Sequence, residues 1–240
     1  IYALMLDPSG VPEWSMTLGG AGVDQGQGVI QSSDGGFVVV GFTNGAGAGG
    51  YDGYIAKLNA DGSPSWERTY GGEGWDFLHS VTERPDGGYV LTGETYSSGA
   101  GSNDVWVIRI DADGDVVWER TYGGAGSDFG RQVQLTEDGF IVAGATTIAE
   151  DQDAWLLNIA DNGDTLWTSV QGGDSSDYAL AVTRTMSGGF AAVGSTRSWS
   201  TFNEAYHFKV DDAGELVWQF NHGQDHNQAS MDIKELPDGR

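Results

Sequence analysis

The sequence contains no cysteine, only 5 prolines among its 240 residues, and only 11 basic residues against 35 acidic ones. Without cysteine there are no disulfides, so the chain has to be stabilised by a hydrophobic core, for which this length is sufficient. The formal net charge of −24 disfavours nucleic acid and anionic membranes as partners, because both are bound through basic surfaces. No apolar run approaches the roughly 20 residues of a membrane-spanning helix, so we expect no membrane insertion.

The chain is rich in glycine, with 39 residues, and it repeats itself about every fifty residues. The stretch DVWVIRIDADGDVVWERTY at 104–122 has clear counterparts at 52–70 and 153–171. One unit contains four short segments of strand character separated by Gly- and Asp-rich turns, which indicate two consecutive hairpins. Four antiparallel strands per repeat predict the blade of a β-propeller, and hence an all-β protein.

The repeated residues, D-x-W/Y-x-x-x-x-D-x-x-G-x-x-x-W-x-x-x-Y-G-G followed by D-x-x-x-x-V and D-G-G, resemble the bacterial and archaeal β-propeller repeats of the SBBP type. They are also similar, more distantly, to the NHL type, and the resemblance covers the whole chain. It implies a strand order A to D from the innermost to the outermost strand, and a surface or secreted binding module. Under that order strand A holds Val29, Val81, Val133, Val182 and Ile233.

The repeat boundaries predict a single propeller domain over residues 1–240, with complete blades at about 24–75, 76–127, 128–176 and 177–227. Residues 228–240 would supply strand A of a closing blade, and residues 1–23 its strands C and D. This gives five blade-equivalents, of which the last lacks strand B. The alternative is that the chain forms part of a larger, six- to eight-bladed propeller. The first residues already belong to the repeat, so we expect no signal peptide within this chain.

Most aromatic residues recur at equivalent positions, which predicts that they pack between blades. On strand D these are Trp14, Trp66, Trp118, Trp167 and Trp218. On strand C they are Tyr2, Tyr54, Trp106, Trp155 and Tyr206.

The loops between strands B and C differ in every repeat, whereas the turns on the opposite side are near-identical hairpins. Ligand-binding residues are often carried by such variable loops on a rigid scaffold, and exposed aromatic rings suit stacking against sugars or peptides. The candidate ligand-binding residues are Tyr51, Trp75, Tyr96, Trp199 and Phe202. The competing interpretation is that these rings pack locally against neighbouring blades.

A second series consists of one aspartate after each Gly-Gly turn, with Gln228 in its place in the last unit. Its members are Asp24, Asp76, Asp128 and Asp177. Oxygen ligands in such an arrangement suit Ca²⁺, so this series is a candidate metal site and Ca²⁺ the one candidate cofactor. The simpler interpretation is structural, because an Asp beside a turn accepts hydrogen bonds from loop N–H groups.

An enzymatic function is disfavoured, because the acidic residues recur as equivalent copies, whereas catalytic carboxylates need unlike environments. We therefore expect no catalytic residues and a non-catalytic, extracellular or cell-surface β-propeller that binds a glycan or a protein. Self-association is a further expectation. The alternatives are a structural subunit of a surface or filamentous assembly, and a propeller glycosidase with two carboxylates of different character.

Overall fold

A computed structural model of the chain describes residues 1–223 and 225–239. All regular structure in these residues is β, and among them no helix has the length and hydropathy that a membrane span requires. The first two strands form a two-stranded sheet, and the other sixteen form four sheets of four strands. The strands are β1 (Tyr2–Leu6), β2 (Pro12–Thr17), β3 (Asp24–Gln31), β4 (Phe37–Thr43), β5 (Asp52–Leu58), β6 (Pro64–Tyr70), β7 (Asp76–Glu83), β8 (Tyr89–Thr95), β9 (Asp104–Ile110), β10 (Val116–Tyr122), β11 (Phe129–Leu135), β12 (Gly139–Ile148), β13 (Asp151–Ala160), β14 (Thr165–Gln171), β15 (Asp177–Arg184), β16 (Phe190–Thr196), β17 (Glu204–Val210) and β18 (Leu216–His222).

The four larger sheets are antiparallel meanders, in which the order of strands across the sheet is the order along the chain. They comprise β3–β6, β7–β10, β11–β14 and β15–β18, and each therefore has the four-stranded composition of a propeller blade. The predicted all-β propeller fold is confirmed. The two central strands of each blade are the most deeply buried, as β4 and β5 show, because they are covered on both faces.

The chain divides into two compact units. Unit 1 consists of residues 1–99 and 106–121, and unit 2 consists of residues 100–105 and those from 122 onward. The core of unit 1 includes Val38, Ile55, Leu78, Leu91 and Trp106. The core of unit 2 includes Ile141, Leu156, Phe190, Tyr206 and Phe208.

Three of the strand-D tryptophans, Trp14, Trp66 and Trp167, pack against a turn glycine of the following repeat. In unit 1, a Cβ placed on Gly62 would lie 2.4 Å from Cδ2 of Trp14, so no larger residue fits beneath that ring. Gly62 also has a positive φ of 82°, which favours glycine in this turn. In unit 2, a Cβ placed on Gly214 would likewise meet the ring of Trp167. The packing interpretation holds for these tryptophans.

Two of the repeated aromatic residues do not pack in this way. Tyr2 is 66% exposed, although its counterparts Tyr54, Trp106 and Tyr206 are buried. Trp218 on β18 is 40% exposed, and all seven residues of β18 are exposed. The prediction of inter-blade packing is therefore wrong for Tyr2 and Trp218.

The C-terminal segment 225–239 contains no strand, whereas the repeat predicts a strand A around Ile233. A strand requires a neighbour for its hydrogen bonds, and none of the strands in the described residues pairs with this segment. The segment nevertheless contacts the last blade of unit 2. Ser230 N–H donates to the carbonyl of Gly194 (2.9 Å), and Met186 N–H donates to Glu235 Oε2 (2.6 Å). Arg240 lies outside the described residues.

Candidate functional site

Three of the five candidate residues come together in unit 1. The rings of Tyr51, Trp75 and Tyr96 form one cluster with Phe42 and Phe77, which we call the aromatic cluster. Trp75 is 54% exposed and Tyr96 is 46% exposed, so two large rings of the cluster face solvent. Exposed contiguous apolar surface of this kind is uncommon on soluble proteins and is often a binding site.

Edge-to-face contacts connect the members of the aromatic cluster. The ring centroids of Phe42 and Phe77 lie 4.9 Å apart, and those of Tyr51 and Trp75 lie 5.8 Å apart, with interplanar angles of 89° and 88°. Trp75 and Tyr96 are 6.5 Å apart at 64°. Such contacts contribute about 1 kcal/mol per pair beyond burial, so the exposed rings have a rigid support. The two exposed rings are therefore inclined to each other and do not form a flat surface.

A buried carboxylate fixes the loop that carries Trp75. Asp76 Oδ2 accepts hydrogen bonds from Gly72 N–H (2.8 Å) and from the Ser97 hydroxyl (2.6 Å), and Asp76 Oδ1 accepts one from the Thr95 hydroxyl. The Ser97 Oγ in turn accepts a hydrogen bond from Gly74 N–H (2.9 Å). The backbone on both sides of Trp75 is thereby held in place before any ligand arrives.

Backbone hydrogen bonds attach the same loop to the segments that carry Tyr51 and Tyr96. Tyr96 N–H donates to the carbonyl of Trp75 (2.9 Å), and Asp76 N–H donates to the carbonyl of Tyr51 (2.7 Å). Gly50 allows a close approach, because a Cβ there would lie 2.3 Å from Cδ1 of the Trp75 ring. The glycines of this loop thus make room for the tryptophan.

A polar pair lies on the same face of the sheet as Phe77. Glu94 is the direct cross-strand partner of Phe77, and its Oε1 lies 3.4 Å from Nε2 of His79. Both polar side chains are largely buried. The pair thus lies beside Phe77, the inner member of the cluster, and it exposes little polar surface.

The remaining two candidates, Trp199 and Phe202, belong to unit 2. Trp199 is 46% exposed, and its ring lies 5.4 Å from that of the buried Tyr206. Phe202 is also exposed. For Trp199 the contact with Tyr206 fits the interpretation of a loop aromatic that packs against its own blade.

Phe42 and Phe77 are members of the aromatic cluster that are not among the candidate residues predicted from the sequence. The position after the repeated aspartate is aromatic in three successive blades, as Phe77, Phe129 and Tyr178. In unit 2 the rings of Phe129 and Tyr178 are stacked, with centroids 5.7 Å apart. This recurrence was the signal that could have found Phe77. Phe42 has no aromatic counterpart in the other blades, so no repeat pattern indicates it.

The hydrogen bonds of the aspartate series fit the structural interpretation, in which an aspartate beside a turn accepts from loop N–H groups. Like Asp76, Asp128 accepts hydrogen bonds from Gly124 N–H (2.8 Å) and Thr147 N–H (2.9 Å). Asp177 accepts them from Gly173 N–H (2.8 Å) and the Ser198 hydroxyl (2.7 Å), and Asp24 lies against Gly19. The carboxylates of Asp76, Asp128 and Asp177 thus hold their loops by hydrogen bonds. Among residues 1–223 and 225–239 there is no group of three or more acidic, His or Cys side chains placed to hold a metal, and Ca²⁺ binding stays a prediction.

One further carboxyl has a shifted pKa. In unit 2, Oδ1 of Asp153 and Oδ2 of Asp177 both lie within 2.4 Å of the position that a Cβ on Gly172 would take, so the two carboxyls are close. Burial, the charge of Asp177 and the charge of Asp151 raise the pKa of Asp153 to about 6. Similar pairs flank Gly71 and Gly123, which indicates a structural element that recurs with the blades.

Comparison with known proteins supports the fold. The family model of a β-propeller domain of unknown function, DUF5122, matches residues 32–64 and 84–116. No curated protein matches the chain. Among solved structures, one described as a crystal structure of the eukaryotic initiation factor is similar at 9% identity and a TM-score of 0.41, over 92% of this chain. The alignment spans 60% of that chain's length. The protein is thus built from β-propeller repeats, of which two match a described β-propeller family.

Proposed function

We propose that this protein is a non-catalytic binding module, and that the aromatic cluster of unit 1 contacts its ligand. The observation that carries the proposal is the pair of exposed rings, Trp75 and Tyr96, held on a loop that Asp76 fixes by hydrogen bonds. A surface that is rigid before binding loses little conformational entropy when it binds, so its apolar area contributes more fully to affinity.

The ligand class that this surface favours is a neutral glycan. A Trp face can stack against a pyranose ring, and the half-exposed ring of Trp75 offers such a face. The net charge of −24 argues against an anionic ligand. A protein ligand is the competing outcome. An extracellular or cell-surface location, and membership of the SBBP-type repeats, are parts of this proposal.

The test compares two tryptophan variants on the full chain. Retention of the protein on immobilised neutral polysaccharides should be lost in Trp75→Ala and kept in Trp199→Ala, because the two side chains are similarly exposed but only Trp75 belongs to the aromatic cluster. Both variants should stay folded at the temperature of the assay, although each loses some stability, because Trp75 contacts Tyr51 and Trp199 contacts Tyr206. Equal retention of the two variants, or no retention of the wild type, would overturn the proposal.

A second candidate function is structural assembly, which the exposed strand β18 favours. Leu216, Val217, Trp218 and Phe220 of this strand are all exposed, although each is a large apolar residue. Such a surface is typical of an interface between protein chains. Light scattering over a hundredfold range of concentration should then show association that Trp218→Ala weakens. A constant monomer mass would contradict this function.

A further inference from the structure

One strand of unit 2 lacks a positive charge that the corresponding strands of the other three blades carry. The fifth residue after the repeated acidic residue of strand C is Lys57 in β5, Arg109 in β9 and Lys209 in β17, but Asn158, five residues after Asp153, in β13. The strand pairing confirms the equivalence, because Lys57, Asn158 and Lys209 each lie opposite the repeated tryptophan of strand D. The third blade thus has a neutral, shorter side chain where the others have a cation.

In unit 1 the cation at this position is fully coordinated by oxygens of its own blade. Lys57 Nζ donates to Ser32 Oγ (2.7 Å), to Asp34 Oδ1 (2.8 Å) and to the carbonyl of Leu58 (3.4 Å). The hydrogen bond from Lys57 lowers the pKa of Asp34 to about 2. A primary ammonium has three N–H donors, and here each of them has an acceptor.

The acceptors persist in the third blade without the ammonium. Thr136 takes the place of Ser32, and Asp138 that of Asp34. Thr136 Oγ1 and Asn158 Oδ1 are both buried, and neither has a hydrogen-bond partner. Asn158 is only 8% exposed. Buried polar atoms without a partner are rare and costly, so two of them in one place indicate a missing donor.

These two atoms belong to residues that line one cavity of unit 2, with a volume of about 520 Å³. Three carboxylates, those of Glu137, Asp138 and Asp212, also line it, against one guanidinium. That guanidinium, of Arg184, is already paired with Asp212 (2.5 Å) and lies over the ring of Phe190. The charge that remains in the cavity is therefore negative, and its free polar atoms are acceptors.

We propose that this cavity binds a primary ammonium group, in the place that Lys57 Nζ occupies in its own blade. The ammonium belongs to an amine ligand or to a lysine side chain of another protein, which have the same chemistry at the nitrogen. A divalent metal fits less well, because Ca²⁺ takes six to eight oxygen ligands and no group of three or more acidic, His or Cys side chains in the described residues is placed to hold a metal.

The first experiment measures thermal unfolding of the full chain in n-butylammonium, which mimics a lysine side chain. We expect the melting temperature to rise by a few degrees at saturating amine, because a ligand that binds only the folded state stabilises it. Tetramethylammonium at equal ionic strength is the control, because it has the charge but no N–H donor. An equal response to both ions, or no response to butylammonium, would overturn the proposal.

Variants of the cavity test the assignment of residues. Asn158→Lys should fill the site covalently, raise the melting temperature and abolish the response to butylammonium. Thr136→Val removes one acceptor and should weaken amine binding about tenfold, whereas Thr136→Ser keeps the oxygen and should bind as the wild type does. The comparison of Thr136→Val with Thr136→Ser still tests the site if Asn158→Lys does not fold. Unchanged binding in Thr136→Val would contradict the site.

Lys57→Asn supplies the reciprocal test, since it should recreate the empty site in unit 1. That variant should be destabilised and partly rescued by butylammonium. The source of the natural ammonium is then decided by comparing spermidine with a capped lysine peptide. Tighter binding of the peptide points to a protein partner, and tighter binding of spermidine points to a small amine. A response to CaCl₂ alone, lost in Asn158→Lys, would replace the proposal with a metal site.

Discussion

The loop before β7 in unit 1 and the loop before β15 in unit 2 share two internal hydrogen bonds but present different side chains. In each, an aspartate accepts from a glycine N–H and a serine hydroxyl, Gly72 and Ser97 for Asp76 and Gly173 and Ser198 for Asp177. The residue before the aspartate is Trp75 in the first loop and Ser176 in the second. The repeat therefore preserves the loop conformation and leaves one side chain free to vary. This separation of scaffold from surface is the reason for placing function at Trp75.

The largest effect should come from removing the carboxylate of the first loop. Asp76→Ala leaves the donors of Gly72, Thr95 and Ser97 without their acceptor, and we expect it to lower the free energy of unfolding by about 3 kcal/mol. Urea denaturation measures this. A loss below about 1 kcal/mol would mean that the buried hydrogen bonds do not hold the loop.

The same change in the second loop should cost less. Asp177 Oδ1 has no hydrogen-bond partner, whereas Asp76 Oδ1 accepts from the Thr95 hydroxyl. We therefore expect Asp177→Ala to destabilise by about 2 kcal/mol, since fewer donors are orphaned. The free energies of unfolding of the two variants, measured under identical conditions, show which loop depends more on its aspartate. The reverse order would show that the number of hydrogen bonds does not set the cost, because the two aspartates are equally buried.

Gly50→Ala tests the surface of the first loop without touching its hydrogen bonds. The added Cβ would meet Cδ1 and Nε1 of the Trp75 ring, which can rotate away because it is half exposed. We expect a loss of stability of about 1 kcal/mol or less, and a change in tryptophan fluorescence as the ring leaves its position. Glycan retention should fall as in Trp75→Ala. Retention at the wild-type level would show that the ring position does not matter.

The sequence predicts the scaffold better than the surface, and the two loops show why. Asp76 and Asp177 are predicted from the repeat, because a residue that serves the fold has to recur in every blade. Trp75 is noticed because it breaks the repeat, but its contact with Phe42 depends on how neighbouring strands meet, which no local pattern encodes. The strand expected at Ile233 failed for a similar reason, since the repeat pattern describes a strand but not the partner that pairs with it.

The cavity beside Asn158 was not predicted for a further reason. A sequence motif consists of residues that are present, whereas this site is marked by a charge that is absent from one repeat. Comparison of Lys57, Arg109 and Lys209 with Asn158 would have shown the substitution in the sequence. Only the structure shows that Thr136 Oγ1 and Asn158 Oδ1 are buried at this place without partners.

The smallest effect concerns the pH dependence of the second loop, where Asp153 lies beside Asp177. Because the pKa of Asp153 is raised to about 6 from its ordinary value near 4, the folded state holds this proton more tightly than the unfolded state. Its stabilising contribution is therefore complete below about pH 4 and is lost as the pH rises through about 6. Asp153→Asn should remove that dependence, so the variant gains stability relative to the wild type between pH 4 and 7. Solvent screening of this partly exposed carboxyl limits the gain to about 1 kcal/mol. Carboxyl ¹³C chemical shifts measure the titration directly, and a midpoint near 4 would show that neither burial nor the charge of Asp177 raises the pKa of Asp153.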